Sequence, residues 1–137
     1  MRIGRGGLAA VFALASSLAP AHTMESRGSD RMTTVYIAFL RKGPLWTESH
    51  GASALQEAHL ANIRAMWRAK KLIVAGPLGD DGDLRGIFLF QVPSLEEAKA
   101  LTATDPAIKE GRLVAEIHPW WVEKNALPAA GEYCHPE

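Results

Sequence analysis

The sequence predicts an α+β fold whose elements follow one another as strand, helix, strand, strand, helix and strand. Short runs of β-branched and aromatic residues alternate with two stretches of amphipathic, helical pattern. The 137 residues fit one domain and are too few for two, and the 47% hydrophobic share is that of an ordinary globular protein. Cys134 is the single cysteine, so no intrachain disulfide supports this fold.

The first strand is predicted over residues 33–40, where threonine, valine, tyrosine, isoleucine and phenylalanine gather. Gly43-Pro44 ends it, because proline has no N–H to donate to a strand ladder. A loop that contains Trp46 and His50 leads from there to the first helix.

The first helix is predicted over Ser53–Lys71, with Ser53 as its N-cap. At 100° per residue, His59 falls inside an apolar face that we expect to pack on the sheet. Arg64 and Arg68 fall on the far side of the helix and are expected to face solvent. The apolar residues of the packed face are Leu55, Ile63, Met66 and Trp67.

Two strands separated by a tight turn are predicted next. Leu72–Pro77 is a short apolar run that proline closes, and residues 84–92 resume the strand pattern. The turn between them is rich in aspartate and glycine, which favours a hairpin. Its Asp80, Asp81 and Asp83 lack the spacing of an EF-hand, so we interpret them as a solvated turn.

Ser94 is expected to cap a second helix that extends to about Thr102, with Glu97 in the capping-box position. Asp105-Pro106 then opens a further short helical turn, and residues 113–118 form the last strand. This order is that of a ferredoxin-like fold, a four-stranded antiparallel sheet with two helices on one face. The other face is then bare, which favours a homodimer.

The first 21 residues predict a secretory signal peptide. Two arginines precede an apolar run too short to cross a bilayer, and Ala19-Pro20-Ala21 is a small-residue cleavage pattern. We therefore expect a periplasmic or secreted protein, or a cytoplasmic one if Met24 or Met32 is the true start. No membrane association is expected after cleavage.

The domain organisation predicted from these patterns has four parts. A signal peptide over 1–21 is followed by a flexible lead-in over 22–32, the folded domain over 33–123, and an irregular, loose C-terminal tail over 124–137.

Several function classes find no support in the sequence. The 15 basic residues are balanced by 15 acidic ones, so nucleic acid is a poor candidate partner. No P-loop, dinucleotide-binding, serine-hydrolase or zincin motif is present. Cys134-His135 is too small a set for a metal site, and we expect neither a metal nor a cofactor.

His59 is the strongest chemical candidate in the chain. An imidazole exchanges protons near neutral pH, and a ring inside an apolar helix face needs a polar partner. Asp105 can be that partner and fix the tautomer, but its place before Pro106 is explained equally well by a helix N-cap.

Four further residues are predicted to bind a substrate. Gly76-Pro77 can present backbone groups to a ligand, although the same pair also serves to end a strand. Trp120, with the neighbouring His118 and Trp121, can line a pocket or a dimer interface, and Trp46 can reach the same mouth. Simple packing in the core explains these residues equally well.

These residues resemble those of the YciI-like (YCII-related) family over about Val35–Trp121. The marks are Glu57-Ala58-His59-Leu60 on the first helix, Ala75-Gly76-Pro77 closing the second strand, and Asp105-Pro106 after the second helix. The stretch Gly79-Asp80-Asp81-Gly82-Asp83-Leu84-Arg85-Gly86 and the ending His118-Pro119-Trp120-Trp121 resemble an exported subgroup.

The resemblance implies a dimeric α/β barrel whose pocket centres on a His–Asp pair, here His59 and Asp105 as catalytic residues. A related protein is a dehydrochlorinase of a chlorinated hydroxyquinol, so the resemblance implies cofactor-independent proton-transfer or lyase-type chemistry on a small phenolic or halogenated compound. Two alternatives stay open. One is a non-catalytic small-ligand-binding or dimerisation module, and the other is a cofactor-free oxygenase, suggested by fold analogy alone.

Overall fold

The computed structural model describes residues 30–47 and 53–132. The strands pair antiparallel throughout, in the order β2-β3-β1-β4. The predicted α+β, ferredoxin-like fold is confirmed. Its elements are β1 (Met32–Lys42), α1 (Ser53–Arg68), β2 (Leu72–Pro77), β3 (Leu84–Phe90), α2 (Leu95–Thr102), α3 (Pro106–Lys109) and β4 (Leu113–Glu123).

Several sequence predictions concern parts of the chain outside these residues. They are the signal peptide over 1–21, most of the lead-in over 22–32, the loop residue His50, and Cys134-His135. Export and cleavage therefore stay predictions. Within residues 30–47 and 53–132, every helix is too short or too polar to cross a bilayer.

The first helix ends at Arg68, three residues earlier than predicted. Lys70 adopts a left-handed conformation with φ 57°. Its N–H bonds the carbonyl of Trp67, and the N–H of Lys71 bonds that of Met66, which is the Schellman pattern of helix termination. This end of the helix could not be predicted from the sequence, because the left-handed position is usually occupied by glycine and here it is occupied by Lys70.

The second helix has the predicted Ser94 cap, but among the described residues the Glu97 carboxylate bonds Lys71 and does not complete a capping box. The Ser94 hydroxyl accepts a hydrogen bond from the Glu97 N–H at 3.1 Å. The Glu97 carboxylate accepts from Lys71 Nζ at 2.8 Å, which ties α2 to the residue that precedes β2.

The main core lies between the sheet and the helices. Alternate side chains of β1 point to this side, and those of β3 and α1 meet them, as the strand period of two requires. Ile63, Met66 and Trp67 pack here as predicted, whereas Leu55 lines a pocket beside the core. The buried residues are Tyr36, Ala38, Leu40, Met66, Leu72, Phe88, Phe90, Val92, Ala98, Ala107 and Leu113.

The opposite face of the sheet, here called the open face, is partly covered by the chain's own C-terminal segment. Leu127 and Ala130 pack against a cluster that includes Val35, Leu89 and Val122. The Ala130 N–H donates to Gln91 Oε1 at 2.8 Å, and the N–H of the following Gly131 reaches the Leu72 carbonyl at 3.2 Å. The predicted tail is irregular here, but residues 127–131 pack against the sheet and are not loose. These residues pack singly and not as a regular element, so they leave no periodic signal in the sequence.

Candidate functional site

A pocket of about 660 Å³ lies between α1 and the helix-covered face of the sheet. Residues from β1, α1, β2, β3, α3 and the start of β4 line it. Much of its wall is apolar. The apolar residues that line it include Leu40, Leu55, Leu60, Ile63, Ala75, Phe88 and Leu113. A mostly apolar wall with a few polar groups is typical of small-molecule sites.

His59 enters this pocket from α1. It lies one turn before Ile63 on the same side of the helix, so packing of that side on the sheet also turns the imidazole inward. The ring stacks on Phe88, with 6.0 Å between ring centroids and an interplanar angle of 26°. Its side chain keeps 13% of its surface exposed.

Asp105 contacts the imidazole of His59 at its Nδ1 atom. Its Oδ2 lies 2.7 Å from His59 Nδ1, and the residue is fully buried. Its Oδ1 accepts the Ala107 N–H at 2.8 Å, which caps α3, and Pro106 occupies the first turn of that helix. The two readings of Asp105 are therefore compatible, because one carboxylate oxygen caps the helix and the other binds His59.

The short helix α3 is what brings the carboxylate to α1. The two elements pack directly on each other. Just before Asp105, the Thr104 hydroxyl lies 3.0 Å from Asn62 Oδ1 on α1, which adds a polar contact at the same place. The contact between His59 and Asp105 is thus made through the short α3 and not through the longer α2.

The contact with Asp105 assigns roles to the two ring nitrogens. A carboxylate that accepts at both oxygens leaves Nδ1–H of His59 as the donor. In the neutral ring, Nε2 is then unprotonated, and it has no hydrogen-bond partner among the described residues. Such a ring can accept a proton from a ligand at Nε2, while the buried carboxylate stabilises the imidazolium that forms.

The structure brings three of the four predicted substrate-binding residues to this pocket. Trp46, Gly76 and Pro77 line it. A Cβ at Gly76 would meet nothing within 4 Å, so sterics do not require glycine there. At Gly86 on the neighbouring strand, by contrast, a Cβ would lie 2.7 Å from the Gly76 carbonyl oxygen, so this close approach of β2 and β3 does require glycine.

Trp120 is the exception, and its predicted place at the pocket is corrected. It pairs with Val35, whose side chain belongs to the cluster on the open face. Trp120 is 45% exposed and does not line the pocket. His118 lies on the same strand and pairs with Glu116. Side chains alternate along β4, so Glu116, His118 and Trp120 all lie on the open face.

The basic residues of the pocket are not among the site residues predicted from the sequence. Arg85 and Arg112 line it, and their guanidinium carbons lie 5.4 and 4.4 Å from the centroid of the Trp46 ring. Arg64 lines it as well, although it was expected to face solvent, whereas Arg68 is exposed as predicted. A long arginine side chain can cover apolar surface while its charged end reaches a pocket edge.

The side chain of Arg85 does not follow the alternation of side chains along β3, because the register between β1 and β3 shifts beside it. Leu40 pairs with Gly86 and Arg41 with Leu84, so Arg85 is the extra residue of a bulge. Strict alternation with Ile87 and Leu89 would have sent its side chain to the open face. The aspartates of the preceding turn are exposed, in agreement with a solvated turn.

The chain is similar to known proteins in sequence and in structure. The family described as the YCII-related domain matches residues 34–121. Among curated proteins, none matches the chain. A similar solved structure is 5-chloro-2-hydroxyhydroquinone dehydrochlorinase from Burkholderia phenoliruptrix AC1100, in complex with 2,5-dihydroxybenzoquinone. It shares 22% identity over 63% of this chain and 92% of that chain, with a TM-score of 0.44. Because the family match spans most of the β-α-β-β-α-β unit, from β1 to β4, the chain belongs to the YCII-related family.

Proposed function

We propose that the protein is a cofactor-independent enzyme that transfers a proton on a small molecule bound in the 660 Å³ pocket. The observation that carries this proposal is the His59–Asp105 pair. A buried carboxylate holds Nδ1 at 2.7 Å, and the ring lines an apolar pocket with Nε2 left for a ligand. A positioned imidazole of this kind contributes about 10² to 10⁴ in rate as a general base.

The reaction class proposed is a lyase-type elimination on a phenolic or halogenated compound. His59 Nε2 accepts a proton from the substrate as the electron pair that remains expels a halide, so the net change is the loss of one hydrogen halide. Asp105 stabilises the imidazolium in the meantime. Membership of the YCII-related family supports a small molecule as the ligand.

Chloride release from 5-chloro-2-hydroxyhydroquinone, within a panel of small phenols, tests this proposal. The matched variants are His59→Asn and His118→Asn, which remove a histidine from each of the two sheet faces. We expect turnover to fall at least about a hundredfold in His59→Asn and to be unchanged in His118→Asn. Asp105→Asn should lose turnover through the tautomer of His59. Turnover that survives in His59→Asn would contradict the proposal.

The alternative is a binding module that uses the same pocket without chemistry. The basic residues beside Trp46 favour it, because they can hold a ligand with no help from a base. Ligand binding by the wild type, with no turnover of any panel member and the same affinity in His59→Asn, would support this alternative. Oxygen consumption with a phenol would instead support the oxygenase reading.

We propose that the open face associates with a second copy of the chain. The C-terminal segment covers only part of this face, and Val74, Val114 and Trp120 remain 42–45% exposed on it. Val74 lies on one edge strand of the sheet and Val114 and Trp120 on the other, so apolar side chains are exposed at both edges of this face, which favours association. Light scattering should give a dimer mass for the wild type and a monomer mass for Trp120→Glu. A monomeric wild type at micromolar concentration would contradict this.

We also propose that the protein is exported. The support is the leader pattern over residues 1–21. Expressed with its leader in a Gram-negative host, the protein should be recovered from the periplasm with His22 as its first residue. A cytoplasmic product that starts at Met1, Met24 or Met32 would contradict export.

A further inference from the structure

The pocket carries positive charge without an opposing carboxylate among the lining residues that the structure describes. Three arginines and His59 line it. Asp105 lies behind His59 and is fully buried, so it is not offered to a ligand. An anionic group is therefore the ligand feature that this lining complements best.

The side chain of Arg85 is held in place by the turn that precedes β3. Its Nη1 donates to the backbone carbonyls of Asp80 at 2.7 Å and Gly82 at 3.1 Å, which fixes the guanidinium in place. Its Nε is buried and has no hydrogen-bond partner. None of the ion pairs found among residues 30–47 and 53–132 involves Arg85. A buried guanidinium N–H without an acceptor costs free energy, and the charge of Arg85, which lines the pocket, has no carboxylate partner among the described residues.

The indole ring of Trp46 contacts the guanidinium groups of both Arg85 and Arg112. The Arg112 guanidinium carbon lies 4.4 Å from the centroid of the indole ring, and that of Arg85 lies 5.4 Å from the same centroid. Arg112 Nη1 also donates to the Thr47 hydroxyl at 2.9 Å. The indole thus positions both arginines at one edge of the pocket, where their planar forks match a carboxylate.

We propose that the ligand is a small ring-bearing acid whose carboxylate is bound by Arg85 and Arg112, with its ring against Phe88 and the apolar wall. This rests on the proposed function only in using the same pocket. The volume of about 660 Å³ suits a ligand of one or two rings. Arg85 is then a specificity residue that selects acids over neutral compounds of the same shape.

Calorimetric titration with benzoate and with benzamide, its neutral counterpart of similar shape, tests the inference without any need for turnover. At low salt, the wild type should bind benzoate at least about tenfold more tightly than benzamide. Arg85→Met should lower this ratio several-fold, because Arg112 is then the one that remains of the two arginines that bind the carboxylate. Arg41→Met is the matched control, because it removes the same charge from a residue that pairs with Asp83 and Glu116 outside the pocket. It should leave the ratio unchanged.

Each outcome of the titration decides one part of the proposal. Equal affinities for benzoate and benzamide in the wild type overturn it, even if Arg85→Met does not fold. A ratio in folded Arg85→Met that equals the wild-type ratio overturns the role of Arg85. Inorganic phosphate that displaces benzoate at equal concentration overturns the contribution of the ring. A tenfold preference for benzoate together with no turnover of any phenol supports this inference and contradicts the proposed function.

Discussion

Each face of the sheet carries a histidine paired with a carboxylate, and the two pairs differ mainly in their surroundings. On the helix face, His59 Nδ1 lies 2.7 Å from Asp105 Oδ2, and the side chains are 13% and 0% exposed. On the open face, His118 Nε2 lies 3.0 Å from Glu116 Oε1, and the side chains are 50% and 53% exposed. Similar distances thus occur in a buried pair at a pocket and in a pair exposed to water.

The difference teaches that burial and access make the candidate site, and that the pairing alone does not. Asp105 is held by the backbone of α3 and is shielded from solvent, so its interaction with His59 is weakly screened. Glu116 also contacts Arg41 and is half exposed to solvent. Ion pairs exposed in this way contribute little to stability. The two pairs also use opposite ring nitrogens, which leaves Nε2 free in His59 and Nδ1 unused by the carboxylate in His118.

The largest expected difference between the pairs is in stability. Asp105→Ala removes the cap of α3 and leaves His59 without its partner in the core, and breaking a buried pair costs about 3 kcal/mol. Glu116→Ala should leave the midpoint of urea denaturation unchanged within error. Equal midpoints for the two variants would show that burial does not separate the pairs.

A smaller effect is expected where the open face is covered by the chain itself. Leu127→Ala removes apolar contact with the cluster around Val35 and Leu89, and should lower the free energy of unfolding by about 1 kcal/mol because the side chain is only partly buried. Ligand affinity at the pocket on the other face should not change. The matched control is Leu45→Ala, where the leucine is 67% exposed and little loss is expected. Comparable losses in both variants would contradict docking of the C-terminal segment.

The smallest expected effect is the pH response of the exposed pair. A hydrogen bond from His118, followed by the charge of His118, lowers the pKa of Glu116 below its ordinary value of 4.5. A lowered folded-state pKa means that the stabilising contribution is present above 4.5 and is lost as the pH falls through the lowered value. In a carboxyl NMR titration, His118→Ala should raise the pKa of Glu116. An unchanged titration curve would show that the pair does not form in solution.

The sequence predicts the fold well because the local signals agree with one another. The Ser94 cap, the alternation in β1 and the Asp-Gly turn all favour the same order of elements, and the structure has that order. The positions that it predicts poorly depend on tertiary contacts. The helix stop at Lys70 uses a left-handed residue other than glycine, and the C-terminal segment docks through single side chains.

The candidate site could be predicted in part for the same reasons. His59 is visible because a histidine breaks an apolar helix face, and the aspartate before Pro106 is visible as a cap. Arg85 is not visible, because only the bulge opposite Leu40 and Arg41 brings it to the pocket side. Trp120 was placed at the pocket by its nearness in sequence to His118, whereas strand parity places it on the other face.

The imidazole tautomer of His59 tests the central claim most directly, since it requires neither a substrate nor an assumption about the reaction. In an NMR spectrum that correlates ring nitrogens with ring protons, recorded where the ring is neutral, His59 should carry its proton on Nδ1, with Nε2 unprotonated. Asp105→Asn should shift this tautomer, while the exposed His118 should be unaffected. A wild-type His59 protonated at Nε2 would contradict the account, because the buried carboxylate would then not be holding the ring as a base directed at the pocket.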